Sequence, residues 1–236
     1  MRLTPRDWEK ISGIALIVGP AQFVIETLVE GALIPGYGLV KNWISDLGAP
    51  PNDHAHFAPG TELWWAFSVS LIVMAILVFV GLIGLRPLLW RNALGKAVLG
   101  LVAIVAIGSI GVAVFNEVFY LPLHAASALT AFGLGWVALV TFGIYIRKQP
   151  GWSPAWSILS ILGGIASFTA LILFAIPTRL GSANSPEWIA AIFPGGSERA
   201  IVVPLVLWLI ALGARLLWGL PRLDVATGAA APAAVP

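Results

Sequence analysis

The chain has 236 residues, of which 59% are hydrophobic and only 10% charged, with no cysteine and a formal net charge of +2. A water-soluble domain of this size has too little polar surface to cover so much apolar material, so a soluble globular protein is excluded and a membrane protein is indicated. The missing cysteines exclude disulfides, thiolate metal sites and cysteine nucleophiles.

A bilayer core about 30 Å thick needs roughly 20 apolar residues per spanning helix. Four runs meet that length with no Asp, Glu, Lys or Arg: Leu63–Leu85, Ala97–Asn116, Val118–Ile146 and Gln149–Thr178. Two more spans carry charge near one end, Ile11–Leu33 with Glu26 and Glu30, and Ala200–Leu220 with Arg215. The expected fold is therefore all-α, a polytopic bundle of six transmembrane helices over residues 1–225, followed by a disordered Ala/Pro-rich tail, 226–236.

In chain order, helix 1 is expected over about Trp8–Leu33. An apolar segment of that length with no small-residue cleavage site reads as an uncleaved first helix. Helix 2 runs from Thr61 to Leu85, where Arg86-Pro87 should stop it. Helix 3 spans about Leu94–Phe119, and Pro122 opens helix 4, about Leu121–Ile146. After the breaker Gln149-Pro150-Gly151, helix 5 covers about Pro154–Ile176, and helix 6 about Ser197–Gly219. A short interfacial helix is expected from Ser185-Pro186-Glu187 through Phe193.

Ten Lys and Arg fall at the termini and at the second and fourth connections, and three (Lys41, Arg179 and Arg199) on the other side. The positive-inside rule then puts both termini in the cytoplasm of a cell inner (plasma) membrane. The basic residues read as topology, and no nucleic-acid partner is implied. Trp8, Trp90, Trp152, Trp156 and Trp218 near one face, and Trp43, Trp64, Trp65 and Trp188 near the other, fit interfacial belts.

Unusual polar groups gather towards the non-cytoplasmic face. Gln22, Glu26 and Glu30 recur every four residues and form one stripe on helix 1. An ionisable group at such depth normally faces a partner or a cavity. Ser45 and Asp46 lie in the long first loop, where Asp53, His54 and His56 could bind a divalent metal, completed by Asp46 or Glu62 and by His124, although solvated loop histidines are the default. Asn116, Glu117, Tyr120 and His124 surround the tight third connection, with Glu117 the natural acid partner of His124. Ser157, Ser160, Gly164 and Ser167 on helix 5, and His124, Ser127, Ala131 and Gly135 on helix 4, form faces suited to close packing. No phosphate-binding loop, nucleophile elbow or metalloprotease helix is present, and the sequence leaves any cofactor open.

The run Ile34-Pro35-Gly36-Tyr37 followed by Ile44-Ser45-Asp46-Leu47-Gly48-Ala49 resembles the signature of the bacterial domain of unknown function 998 family. Gly111-Val112-Ala113-Val114-Phe115 and Leu121-Pro122-Leu123-His124 are similar to its later motifs, and the helix order agrees over roughly residues 10–220. Where that family often has a second histidine, this chain has Leu121-Pro122. The Ile-Ser-Asp segment also resembles one in the eukaryotic Frag–DRAM–Sfk membrane proteins, some tied to GPI-lipid remodelling.

Together these readings give a polar pocket on the non-cytoplasmic face, lined by Glu26, Tyr37, Ser45, Asp46, Glu117 and His124. A membrane lipid or other amphipath is the expected ligand. Acid/base chemistry by Glu117 and His124 is the best candidate reaction, with binding alone also open. A proton-coupled transporter using Glu26, and a non-catalytic assembly or stress-response subunit, are the alternatives. The sequence leaves the oligomeric state open.

Overall fold

The computed structural model describes residues 4–51, 61–180, 186, 189 and 194–218. Among them are six long helices: α1 (Pro5–Leu33), α2 (Trp64–Leu89), α3 (Ala93–Val114), α4 (Glu117–Ile146), α5 (Pro154–Leu180) and α6 (Gly195–Leu217). Each is long and apolar enough to cross a membrane, and among the described residues there is no strand. The metal-ligand candidates Asp53, His54 and His56, the Ala/Pro-rich tail, and the expected interfacial helix apart from Pro186 and Ile189 lie outside the described residues.

The helix ends follow local chemistry. Thr4 and Asp7 make a reciprocal capping box that opens α1. Helix α2 does not stop at Arg86-Pro87 as expected but continues to Leu89. Pro87 removes a single bond in the last turn. That turn is closed by the Trp90 N–H on the Arg86 carbonyl at 2.9 Å and by the Tyr145 hydroxyl on the Leu88 carbonyl at 2.5 Å. Helix α3 ends five residues before the expected Phe119, because Asn116 turns its side chain onto the Val118 N–H at 2.8 Å and caps α4 instead. Helix α4 therefore starts one turn early and bends at Tyr120 (φ −135°, ψ 43°), so that Pro122 opens its long regular part. Helix α5 likewise runs through Pro177 rather than ending at Ile176.

The helices pack in chain order around a ring, and α6 closes it against α1. The two ends of this ring are built differently. At the end holding the N-terminus of α1 and the C-terminus of α6, glycines bring backbones into contact. Gly13 meets Gly213, Gly81 meets Leu16, Gly84 meets Ser12, Gly95 meets Leu89, and Gly143 meets Ser157. The Ser12 hydroxyl donates to the Val80 carbonyl at 2.9 Å and accepts the Gly84 N–H at 3.0 Å, tying α1 to α2. Leu85, Leu89, Val98, Phe142, Leu212 and Leu216 fill the space between.

Cations at this end lie over tryptophan rings: Arg86 and Lys96 on Trp90, at 5.3 and 5.1 Å, and Arg215 on Trp152, at 5.4 Å. Large apolar side chains such as Ile25, Leu129 and Leu159 point outward, as a lipid-facing surface requires. The small face of α5 packs as expected. Ser157 and Ser167 donate to the carbonyls of Gly143 and Ile201, at 2.8 and 2.7 Å, and Gly164 lies against Trp136 and Val140 of α4.

A Cβ on Gly213 would stand 2.6 Å from the Gly13 carbonyl oxygen, a backbone atom that cannot step aside, whereas one on Gly133 meets nothing within 4 Å. Overpacking of this kind costs about 1–3 kcal/mol. Gly213→Val is therefore expected to lower the melting temperature in detergent by roughly 2–10 °C. Gly133→Ala should leave it unchanged or slightly raised. Equal effects of the two would contradict the packing described.

Candidate functional site

The other end of the ring is closed by chain rather than by helix packing. After α1, the segment 34–51 turns into the mouth of the bundle, and a 3-10 turn at Ser45–Gly48 is buried throughout. Gly36 makes the first turn with φ +82°, a conformation open to glycine. Backbone that leaves regular structure away from water must still find hydrogen-bond partners. Here the N-terminal ends of α4 and α6 supply them.

The Glu198 carboxyl accepts the Ile44 N–H at 2.5 Å. Arg199 donates to the Asn42 carbonyl at 2.9 Å and to the Tyr37 hydroxyl at 2.6 Å. The Tyr37 hydroxyl in turn donates to the Trp43 carbonyl at 2.7 Å. The Gly196 N–H donates to Val40 at 2.9 Å, and the Asn116 amide donates to the Gly48 carbonyl. Burial pushes the Tyr37 phenol up to about 12, with Arg199 opposing, so it stays a donor at neutral pH.

Inside this clamp the ionisable groups meet. Asp46 accepts the Trp43 N–H at 2.9 Å and lies beside the Asn42 amide. The Glu117 carboxyl hydrogen-bonds to Ser45 and to Asp46. Two carboxyls in contact require a proton between them. Burial, with Glu117 adding to it, pushes Asp46 up to about 7. Two turns further along α4, His124 points its Nε2 at Glu117, 3.7 Å away. Its Nδ1 lies 2.8 Å from the Phe115 carbonyl. A carbonyl can only accept, so Nδ1 carries the hydrogen and neutral His124 has its lone pair on Nε2.

Below this cluster the ring is hollow. The cavity has a volume of about 100 Å³ and is lined by α1, α2, α3, α4, α6 and the loop. Ser45, Ser109, His124 and Glu198 supply the polar lining, and residues such as Phe67, Met74, Val102, Ala131 and Leu205 the apolar walls. The lining runs from Glu198 to Leu209 on α6 and from His124 to Gly135 on α4. That is three turns of helix, roughly 16 Å.

The structure thus gathers Ser45, Asp46, Glu117 and His124 at one place. Tyr37 stands behind them as part of the clamp. Glu26 does not line the cavity. It faces Glu30 one turn along α1, and all four carboxyl oxygens are buried without a partner from another element. Gln22, from the same stripe, joins α1 to α2 by donating to the Ser70 carbonyl and accepting the Ser70 hydroxyl, both at 2.8 Å. Trp43 packs edge-on against Phe174 of α5 at 5.0 Å, inside the protein rather than in a lipid belt. Glu62 is exposed. Among the described residues no three His, Asp or Glu side chains converge as a metal ion would require.

Sequence reasoning missed Glu198. An acidic residue in the first turn of an otherwise apolar helix was the available signal, and it is masked by the ordinary preference for acids at that position.

Six apolar helices closed by an infolded loop define a polytopic integral membrane protein. The model of the family described as "Protein of unknown function (DUF998)" matches residues 17–215. The chain belongs to that family. No curated protein and no solved structure matches it.

Two expectations follow. Asp46 at about 7 stands above its ordinary 3.8, so folding favours its protonated form. Its stabilisation is complete below about pH 4 and is lost as the pH rises towards 7. The melting temperature in detergent should fall from about pH 5 to about pH 7, and Asp46→Asn should flatten that slope. Parallel profiles for the two proteins would contradict the assignment.

Glu198→Ala leaves the buried Ile44 N–H without an acceptor, a loss of about 1–3 kcal/mol, while Glu198→Gln keeps a carbonyl oxygen there. Thermal unfolding should show the alanine variant clearly below the glutamine variant. Coincident curves would show that this bond does not hold the loop.

Proposed function

We propose that this protein binds a lipid or other amphipathic ligand from the outer leaflet of the cell inner membrane. The apolar chain lies in the hollow half of the bundle, and the polar head lies against the loop. One observation carries the reading: a largely apolar cavity of about 100 Å³ that follows α4 and α6 for three turns and is capped at one end by Ser45, His124 and Glu198. Its depth of roughly 16 Å is close to half of a hydrocarbon core about 30 Å thick, the length available to a chain from one leaflet.

The excess of Lys and Arg near the glycine-packed end supports an orientation with that end and both termini in the cytoplasm. The polar cap then faces outward. Helix packing at the glycine-lined end disfavours the transporter reading, because a transported solute needs a path through it.

If the ligand is turned over, the chemistry belongs to Glu117 and His124. Nε2 of His124 is placed to take a proton, and the Glu117 carboxyl is placed to stabilise the imidazolium that results. The hydrogen bond from Nδ1 to Phe115 fixes the tautomer for that role.

Native mass spectrometry of the protein in mild detergent is expected to show one lipid-sized adduct per chain. Ala106→Phe, which puts a ring into the cavity, should reduce its occupancy about tenfold or more. Occupancy unchanged in that variant would place the lipid on the outer surface and overturn the reading. His124→Asn should keep the adduct while abolishing any turnover of it.

A further inference from the structure

At the glycine-packed end the charges are not spread evenly. The chain has no Asp or Glu between Glu62 and Glu117, nor between Glu117 and Glu187. The α2–α3 and α4–α5 connections therefore carry Arg86, Arg91, Lys96, Arg147 and Lys148 with no acid near them in the chain. On α1, at the same end, the charges balance, because Asp7 and Glu9 stand beside Arg6 and Lys10.

Three of the unbalanced cations meet at the α2–α3 turn. The Arg86 guanidinium and the Lys96 ammonium lie over the same Trp90 ring, 5.3 and 5.1 Å from its centre. Two charges so placed are no more than about 10 Å apart, one screening length at 0.1 M salt. Arg91 follows the ring in the chain and is steadied by its Nε on the Pro87 carbonyl at 3.1 Å. All three are exposed, and among the described residues none is ion-paired with a carboxylate. The Tyr145 hydroxyl, bonded to the Leu88 carbonyl, brings the end of α4 against this turn, and exposed Arg147 and Lys148 come directly after it. Orientation in the bilayer depends on how many basic residues a connection holds and does not require them to converge on one ring. Convergence costs repulsion, which a bound anion removes.

We infer that the α2–α3 turn is a binding site for the anionic phosphodiester head of a membrane lipid from the leaflet at this end, its phosphate held by Arg86, Arg91 and Lys96 around Trp90. A guanidinium offers two parallel N–H groups to phosphate oxygens, and an ammonium adds a compact charge. A tryptophan at a helix end lies at the level of the headgroups, so the cations around it are at the depth of the phosphates. Ile83 on α2 and Ile104 on α3, one and two turns deeper on the faces that carry Arg86 and Lys96, are exposed to the apolar layer where the lipid's chains run. The site lies at the far end of the bundle from the cavity, and neither reading depends on the other.

The test uses the full chain in nanodiscs of equal parts zwitterionic and anionic glycerophospholipid with identical chains. Native mass spectrometry reads which lipids stay on the protein when the disc is stripped away. The anionic lipid is expected to be retained about tenfold or more in excess. Arg86→Gln with Lys96→Gln should cut that preference about tenfold, whereas Arg6→Gln with Lys10→Gln, an equal loss of charge at the same end, should leave it within about twofold. Should the first pair fail to fold, Lys96→Gln alone against Lys10→Gln makes the same comparison.

Equal losses in the two pairs would show a diffuse field and overturn the site. Equal retention of both lipids by the unaltered protein would overturn it as well. Inorganic phosphate alone, if it raised the melting temperature in detergent as much as the anionic lipid does, would overturn the assignment to a lipid.

Discussion

A backbone that leaves helical structure inside a membrane protein must have every buried N–H and carbonyl paired by protein, because no water is there to do it. The segment 34–51 meets that condition through side chains at two helix ends. Glu198 and Arg199 from α6, and Asn116 from α4, bind Ile44, Asn42 and Gly48 directly. The rest of the outer end follows. A loop held this way brings Ser45 and Asp46 to Glu117, and Glu117 is already placed over His124 by the bend at Tyr120. The residues that hold the loop and the residues that could do chemistry are thus neighbours in one network, and a change in either is felt by the other.

The same helices are packed in two different ways along their length. Towards the basic end, glycine lets backbones touch and little space is left between them. Towards the loop, Phe67, Leu71, Met74, Val102 and Val105 line the hollow, while Gly108 and Gly111 keep α3 close to Ser127 and Ala131 of α4. Helix α5 lines none of the hollow. It packs between α4 and α6, and Phe174 reaches from it to Phe132 and Trp43. That places it as the outer wall over the seam between the two helices that carry His124 and Glu198.

Much of the fold was legible because the bilayer imposes it. Length, lack of charge and basic asymmetry are enough to find six spans. The ends were less legible. A proline such as Pro87 or Pro177 in the last turn costs one hydrogen bond and need not stop a helix. The boundary between α3 and α4 turned on whether the Asn116 side chain caps the next helix or lets the previous one run on. At the site, the motif Ile44-Ser45-Asp46 and the pair Glu117 and His124 could be picked out as unusual polar residues. Their contact with one another depends on how the loop folds in, which no local pattern encodes. Glu198 was hidden for the opposite reason, since an acid at a helix start needs no special explanation. Glu26 looked equivalent to the others by depth, yet its face of α1 turns to Glu30 and away from the hollow.

The infolded loop is the claim on which the cavity and its cap stand, and it can be tested in the native membrane. The chain has no cysteine, so a single introduced thiol gives a signal without background. Leu47 is fully buried in the 3-10 turn, while Val40 in the same loop is 48% exposed. With Leu47→Cys and Val40→Cys in separate proteins, a membrane-impermeant maleimide should label the second and leave the first unmodified until the protein is unfolded. Equal labelling of both in the folded protein would put the loop outside the bundle and contradict the account.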